Sequence, residues 1–293
     1  MQEESETQTE KGRQEQATSL TQVASFSKEL EAKVRRKLDL NIIPLILVVY
    51  MLSVLDRSNV GNARIAGMST DLQLIGNRYD WLLTIFYIPC TARNFPFNLD
   101  ICFEWLTMLW KIFKPHQYAA GAIFLWGLVA TLQATTTSWA GMMACRFFLG
   151  LAECGFGPGL TLYLSFFYSR HEIGLRIGIY IAGSALASAY GGALAYGLSH
   201  ITSGVAPWRL LFILEGIPTC LMAIIVWFYL PDAPDKCRFL NEEEKKVATA
   251  RAQRQPRSFD FQGFSASHFF DAFLDYRSIP LLVHYLIQIS LPR

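Results

Sequence analysis

Residues 42–59, IIPLILVVYMLSVLDRSN, run from an apolar stretch directly into a charged pair. The apolar part, Ile42–Leu55, is too short to cross about 30 Å of hydrocarbon at a rise of 1.5 Å per residue. A spanning helix must therefore continue through the next four residues, which places Asp56 and Arg57 inside the membrane. The stretch predicts a membrane helix that carries charged side chains at depth.

The composition of the whole chain agrees with a membrane protein. Hydrophobic residues make up 52% of the 293 residues and charged residues 17%, against about 25% charged in a typical globular domain. Residues 40–235 hold only 20 charged residues, which occur in short clusters between apolar runs. This pattern excludes a cytosolic enzyme domain, a disulfide scaffold and a disordered chain, and it predicts an all-α bundle of spanning helices.

Apolar runs divide the chain into three predicted regions and a truncated end. We expect a cytosolic tail over 1–37, with a short amphipathic surface helix at Lys28–Lys37, followed by a six-helix transmembrane bundle over 38–231. Residues 232–278 are polar and predict a central cytosolic loop. The run at 279–293 is apolar but too short to span, so we expect a truncated seventh segment. The six predicted spans lie at about 40–68, 81–110, 118–132, 139–168, 174–198 and 208–230.

The second predicted span is interrupted. Trp81–Ile88 and Ile101–Trp110 are each about half a span, and the stretch between them contains two prolines, an arginine and an aspartate. Removing the insertion at about 89–100 would restore an ordinary span, which favours mis-splicing here and a similar artefact at the C-terminus. A real re-entrant break is the alternative, and a transcript that carries these codons in frame would support it.

Lysine and arginine residues are concentrated in alternate loops. One set includes Lys111, Lys114, Arg170 and Arg176, together with the basic residues before the first span and after the sixth. The alternate set holds only Arg64, Arg78 and Arg209. Because basic residues favour the cytosolic side, we expect a multi-pass protein with a cytosolic N-terminus.

Charged residues inside the predicted spans indicate a binding or coupling site, because each costs about 2.5–3.5 kcal/mol on insertion. Arg146 and Glu153 are seven residues apart, so they project from one face of the fourth span about 10 Å apart. Arg146 and Arg57 would suit an anionic substrate, since guanidinium groups match carboxylates, and Glu153 would carry a proton. The alternative is that Asp56–Arg57 and Arg146–Glu153 are neutralising pairs that only hold helices together.

Three further acidic residues are secondary candidates. Asp56 is expected to partner Arg57 or to lie at a helix end, whereas Glu104 and Glu215 would bond polar groups across helices. No nucleophile–base or metal-ligand pattern is present, so we expect no catalytic or metal site. The six cysteines are scattered and are interpreted as small buried hydrophobes, with a metal or redox role as the alternative. The net charge of +2 and the absence of a basic stripe predict no nucleic-acid partner.

Small residues recur every four positions in the fifth span, which predicts close helix packing in lipid, with sliding of these surfaces as a second possibility. The recurring sets are Gly174, Gly178 and Ala182; Gly183, Ala187, Gly191 and Ala195; and Ser184, Ser188 and Gly192. At the end of the fourth span, GFGPG over Gly155–Gly159 predicts a bend.

Several of these stretches together resemble the fungal allantoate permease family, the anion:cation symporter branch of the major facilitator superfamily. The resemblance covers roughly residues 33–278. It is carried by LSVLDRSNVGNARIA (52–66), DWLLTIFY (80–87), CRFFLGLAECGFGPG (145–159), YSRHEIGL (168–175) and WRLLFILEG (208–216).

The resemblance implies a secondary active transporter that couples protons to a small organic anion, such as a vitamin carboxylate or a ureide. Arg57, Arg146 and Glu153 match positions that related proteins use for substrate charge and coupling. The proton gradient is the implied driving force, with no cofactor, and the plasma membrane is the implied location. Family members have two six-helix halves, so the chain is expected to be the N-terminal half, with impaired transport unless a second copy or a second half pairs with it. The alternative is a transport-dead membrane protein that associates with a full-length transporter or another partner.

Overall fold

A computed structural model describes residues 27–91, 113–200 and 204–253, all within one compact unit, Met1–Gln255. These residues form helices joined by short turns, with no strand among them. Glu104, most of the predicted insertion at 89–100 and the predicted seventh segment lie outside the described residues.

The first helix, α1, spans Lys28–Ala63. Ser27 caps it by accepting a hydrogen bond from the backbone N–H of Glu29 at 3.3 Å. The prediction of a separate surface helix at Lys28–Lys37 is therefore wrong, because these residues are the first turns of α1. No glycine or proline lies between Lys28 and Ile43, and Pro44 is accommodated within the helix, so the basic segment continues into the apolar one as a single helix.

α1 continues through a π-helical turn at Arg64–Met68 into a short helix at Ser69–Asp71. Gly67 has a φ of 103° inside this turn, a conformation that residues with a Cβ rarely adopt. The chain therefore kinks at the end of the first span, and the glycine makes the kink possible.

The other described helices follow in chain order. They are α2 (Arg78–Thr91), α3 (Pro115–Gln133), α4 (Trp139–Cys154), α5 (Phe156–Ser165), α6 (Arg170–Ser199), α7 (Pro207–Tyr229) and α8 (Glu242–Gln253), with a 3-10 turn at Pro234–Lys236 before α8.

The ends of these helices follow from local chemistry. α3 and α7 both begin with proline at the first helical position, where the missing N–H costs nothing. α6 begins with a capping box, in which Ser169 and Glu172 each accept the other's backbone N–H. The helix of the fourth span is interrupted at Gly155, within the stretch where a bend is predicted, so that α4 and α5 are separate helices.

Four described segments are long and apolar enough to cross a membrane: Lys28–Asp71, Trp139–Ser165, Arg170–Leu198 and Pro207–Tyr229. α3 is 19 residues long and begins with the polar sequence PHQY. α2 ends next to residues that are not described. Multiple spanning helices are thus confirmed, and the count of six stays a prediction.

Close contacts between helices occur at small residues. A Cβ added at Gly216 of α7 would lie 2.1 Å from Thr131 Oγ1 of α3, and one at Gly183 of α6 would lie 2.5 Å from Leu47 Cδ1 of α1. Of the three predicted small-residue sets on α6, the one that runs through Gly183, Ala187 and Gly191 packs against α1. The packing role predicted for this set is confirmed.

The bundle has apolar groups outside and polar groups inside. Large apolar side chains that are about half exposed include Leu125, Phe148, Leu221, Ile224 and Phe228. Buried charged or polar side chains include Asp56, Arg146, Glu153, Glu215 and Thr219. This distribution suits a bundle surrounded by lipid, in which ionisable groups face the interior.

Candidate functional site

Five charged side chains from three helices interact in the middle of the bundle, and we call them the central cluster. They are Asp56 and Arg57 of α1, Arg146 and Glu153 of α4, and Glu215 of α7. All except Arg57 are nearly inaccessible, with 1–3% of their surface exposed. All five are residues that the sequence singled out.

Arg57 and Glu153 form the salt bridge of the cluster. Arg57 Nε donates to Glu153 Oε2 at 3.1 Å, and Arg57 Nη2 donates to Ser53 Oγ at 2.9 Å. The hydroxyl of Ser53 in turn donates a hydrogen bond to the other carboxylate oxygen of Glu153. The side chain of Arg57 is 36% exposed, whereas that of Glu153 is 1% exposed. The pair therefore has one accessible cation and one buried carboxylate, and Arg57 is less buried than its place in an apolar span suggested.

Arg146 is buried with only part of its hydrogen-bonding capacity used. Its Nη1 donates to the backbone carbonyl of Asp56 at 3.2 Å. Its Nε and Nη2 have no hydrogen-bond partner among the described residues. The guanidinium carbon also lies 5.7 Å from the ring centroid of Phe212, within range of a cation–π interaction. A buried guanidinium with unused donors can bind a carboxylate.

The two remaining carboxyl groups are not paired with a cation. Asp56 Oδ2 and both oxygens of Glu215 have no hydrogen-bond partner among the described residues. Neither side chain forms a salt bridge within the described ranges. Both carboxyl groups are attracted electrostatically by Arg146, and Asp56 is also attracted by Arg57.

The observed pairing differs from the neutralising pairs that the sequence suggested. Arg57 binds Glu153 on another helix instead of its neighbour Asp56, and Arg146 binds the backbone of α1 instead of Glu153. A side chain adjacent in sequence projects about 100° around the helix, so Asp56 and Arg57 face different neighbours. The interaction across helices thus joins α1 to α4.

Sequence reasoning missed four buried polar side chains near these helices: Ser53, Asn59, Gln133 and Thr219. Ser53 lies four residues before Arg57, on the same face of α1, and this spacing was the available signal. Gln133 has a fully buried amide without a hydrogen-bond partner in the described chain. A polar residue at the end of an apolar helix carries no sequence signal for burial.

A second group of charges lies where α8 meets the beginnings of α1 and α6, and we call it the peripheral network. Arg176 binds Asp39 through two nitrogens at 2.7 and 3.0 Å. Arg251 of α8 binds Glu172 at 2.7 Å, and Lys37 binds Glu244 at 2.7 Å. We define it by six residues, Lys37, Asp39, Glu172, Arg176, Glu244 and Arg251, to which the more exposed Lys33 and Arg35 add ion pairs with Glu244 and Glu172. Sequence reasoning missed this network, because its partners are far apart in the chain.

Comparison with known proteins supports a transporter. A family model described as Major Facilitator Superfamily matches residues 46–290. An uncharacterized transporter of Schizosaccharomyces pombe is 37% identical over 81% of this chain and 45% of its own length. The MFS-type transporter efuF of Hormonema carpetanum is 36% identical over 74% of this chain and 43% of its own length. The chain spans about half the length of the curated relatives it matches.

A solved structure agrees on the fold. The inward-facing, unoccupied form of a bacterial homolog of the human lysosomal transporter Spinster aligns with a TM-score of 0.56. The alignment covers 86% of this chain and 50% of that protein, at 18% identity. At this identity the likeness concerns the fold alone.

Proposed function

The chain belongs to the major facilitator superfamily, and on that premise we propose that it serves in proton-coupled symport of a small organic anion across a membrane. Its relatives are named as transporters, which points to a transporter rather than an enzyme. Transport in this superfamily requires two bundles that move about a shared site. The proposal therefore concerns the half of the transport unit that this chain supplies.

One observation carries the choice of an anionic substrate: the buried guanidinium of Arg146 has two nitrogens without a hydrogen-bond partner in the described chain. A carboxylate can accept two parallel hydrogen bonds from such a group. A neutral substrate would leave that charge less compensated. Arg57, which is partly exposed beside the same helices, supplies a second positive group.

The salt bridge between Arg57 and Glu153 supports coupling to protons. A substrate carboxylate that binds Arg57 competes with Glu153 for the same guanidinium. Once released, Glu153 would be an unpaired buried carboxylate, which costs about 3–5 kcal/mol. Uptake of a proton by Glu153 removes that cost, so anion and proton bind together.

The substrate class rests on the resemblance to allantoate permeases. On that basis we propose a vitamin carboxylate or a ureide, with the plasma membrane as the location and the N-terminus in the cytosol. The basic residues in alternate loops support the orientation.

Uptake of radiolabelled organic anions tests the proposal in cells that express the full chain alone and in cells that also express the C-terminal half of a full-length relative, because the chain supplies one of the two bundles. The panel should include allantoate and a vitamin carboxylate, measured between pH 5 and pH 8, with a neutral sugar as the negative control. We expect saturable uptake stimulated by acid, lost in Arg146→Ala and retained without acid stimulation in Glu153→Gln. Arg238→Ala, at an exposed position outside the central cluster, is the matched control. Acid-stimulated uptake that survives Arg146→Ala would refute the assigned role.

A second candidate function is association with another membrane protein without transport. Two small-residue sets on α6 support it: a Cβ added at Gly174, Gly178 or Gly192 would meet no atom within 4 Å among the described residues. Such smooth surfaces allow another helix to approach closely. Co-purification with a full-length relative, lost in Gly178→Leu and accompanied by no uptake, would favour this candidate. Uptake by the chain would exclude it.

A further inference from the structure

The central cluster contains more acidic than basic groups. Among the described residues it has three carboxyl groups (Asp56, Glu153 and Glu215) and two guanidinium groups (Arg57 and Arg146). With every group ionised, the cluster would carry a net charge of about −1. An uncompensated charge in a low-dielectric interior costs several kcal/mol. Electroneutrality therefore requires one bound proton.

Glu153 does not hold that proton in this structure. One of its oxygens accepts a hydrogen bond from Arg57 at 3.1 Å, and the other accepts one from the hydroxyl of Ser53. Both contacts suit an ionised carboxylate. The choice is therefore between Asp56 and Glu215.

Asp56 has more positive charge near it than Glu215 has. Each of the two carboxyl groups is repelled by another acidic group, Asp56 by Glu153 and Glu215 by Asp56, but Asp56 is attracted by both Arg146 and Arg57, whereas Glu215 is attracted by Arg146 alone. Both oxygens of Glu215 also have no hydrogen-bond partner in the described chain, although the residue is only 3% exposed. Arg146 thus interacts with two carboxyl groups, and the negative charge of Glu215 would be the less compensated of the two.

The described elements packed against Glu215 offer it no other cation, because Arg64 of the π-helical turn lies over the ring of Tyr79 and Arg209 of α7 donates to the carbonyl of Ala134. Thr131 of α3 lies against the next residue, Gly216, and it has no titratable group. α6 carries its charges at its first turns, in Arg170, Glu172 and Arg176. Within the described ranges the groups that act electrostatically on Glu215 are Asp56 of α1 and Arg146 of α4.

We propose that Glu215 is a proton-binding site, distinct from Glu153, that holds one proton in the resting protein at neutral pH. The neutral carboxylic acid leaves Asp56 and Glu153 to balance Arg146 and Arg57. The consequence for transport rests on the proposed function. When Glu215 is protonated, the cluster is neutral and the anion can enter it. Loss of the proton from Glu215 makes the cluster negative and repels the anion.

Infrared spectroscopy of the purified full chain in lipid bilayers tests this site without any substrate. At pH 7 exposed carboxyl groups are ionised, so a carbonyl stretch of a protonated carboxyl reports a buried acid. We expect this band in the wild type, its loss in Glu215→Gln, a shifted band in Glu215→Asp, and an unshifted band in Asp56→Glu, which keeps the number of carboxyl groups. Absence of the band from the wild type, its persistence in Glu215→Gln, or a band that shifts in Asp56→Glu but not in Glu215→Asp would each overturn the assignment.

A transport measurement separates this inference from the proposed function. We expect the apparent affinity of the wild type for the anion to fall, by up to about tenfold per pH unit, once Glu215 loses its proton. The affinity of Glu215→Gln should fall less steeply over the same range, because the amide mimics the neutral acid and only the proton of Glu153 remains linked to the anion. If the chain transports no anion, the proposed function fails while the infrared assignment stands. If it transports but the affinity of Glu215→Gln falls like that of the wild type, the linkage to Glu215 is refuted.

Discussion

The central cluster and the peripheral network use the same residue types in opposite ways. In the network, Arg176, Arg251 and Lys37 each bind a carboxylate at 2.7 Å. In the cluster, the one salt bridge within the described ranges joins Arg57 to Glu153 at 3.1 Å. Charges at the end of the bundle are thus saturated with partners, whereas charges in its middle keep unused donors and acceptors.

The difference separates charges whose hydrogen bonds are made within the protein from charges with unused groups that can bind a ligand or a proton. An ion pair whose donors and acceptors are all used links helices and has no free hydrogen-bonding group for a ligand. Buried groups without partners cost free energy in the empty protein, and such a cost is typical of sites that bind a ligand or a proton. The predictions below test this division, from the largest expected effect to the smallest.

The largest effect is expected for Arg146→Ala. This change removes the positive charge that both Asp56 and Glu215 feel, so we expect a loss of about 3–5 kcal/mol in the free energy of unfolding. Arg146→Lys keeps the charge and should regain most of the stability, but not uptake, because an ammonium cannot form the planar fork. Unfolding of the purified protein in mild detergent measures the change. An Arg146→Ala protein as stable as the wild type would contradict the role of Arg146 as counter-charge.

A smaller effect is expected for Glu172→Ala in the peripheral network. Glu172 accepts hydrogen bonds from Arg251 at 2.7 and 2.9 Å, and it completes the capping box of α6. We expect a loss of about 1–3 kcal/mol, with faster tryptic cleavage in α8. Glu243→Ala on the exposed face of α8 is the matched control. Unchanged cleavage would show that the network does not hold α8.

A pH-dependent effect is expected for Glu244→Gln. Lys37 donates to both oxygens of Glu244 at 2.7 and 2.8 Å, and these bonds, with the backbone N–H of Asn241, hold the pKa of Glu244 below its usual range. Because the lowered pKa belongs to the folded state, the contribution of about 1 kcal/mol is present above about pH 4.3 and is lost as the pH falls further.

Unfolding of the wild type and of Glu244→Gln should therefore be compared at pH 7 and at decreasing pH below 4.3. We expect the wild type to be more stable at neutral pH and the two proteins to converge in acid. A difference that stays constant down to strongly acidic pH would show that Glu244 is not the titrating group.

The smallest effect is expected for Lys245→Ala. Lys245 binds Glu242 at 2.8 Å on the same turn of α8, but the side chain of Glu242 is 84% exposed. Solvent and salt screen such a pair. We expect no measurable change in unfolding or uptake. A clear loss of stability would show that burial is not what separates the strong pairs from the weak one.

Sequence reasoning identified all the members of the central cluster but none of the peripheral network. Arg146 and Glu153 are conspicuous because they interrupt an apolar run, where charge is costly. Lys37, Glu244 and Arg251 lie in segments that are polar throughout, so nothing marks them as paired. Charge is a signal only where the surroundings are apolar.

Partner choice within the cluster also required the fold. The sequence placed Arg57 next to Asp56, but the structure pairs Arg57 with Glu153, which is 96 residues away in the chain. Among the three small-residue sets of α6, spacing alone gave equal weight to each, while contact with Leu47 and Asn59 distinguishes the set that packs on α1. Rotation of each helix about its axis decides both outcomes.

The sequence by itself determined that this chain is a helical membrane protein, where the helix of the fourth span is interrupted, and which charges lie inside the bundle. Those properties depend on the local cost of placing polar groups in an apolar run. The tertiary structure decided that Arg57 engages Glu153, that Arg146 and Glu215 keep unsatisfied groups, and that α8 is tied to α1 and α6. Those contacts depend on the depth and rotation of helices far apart in the chain, which no local pattern encodes.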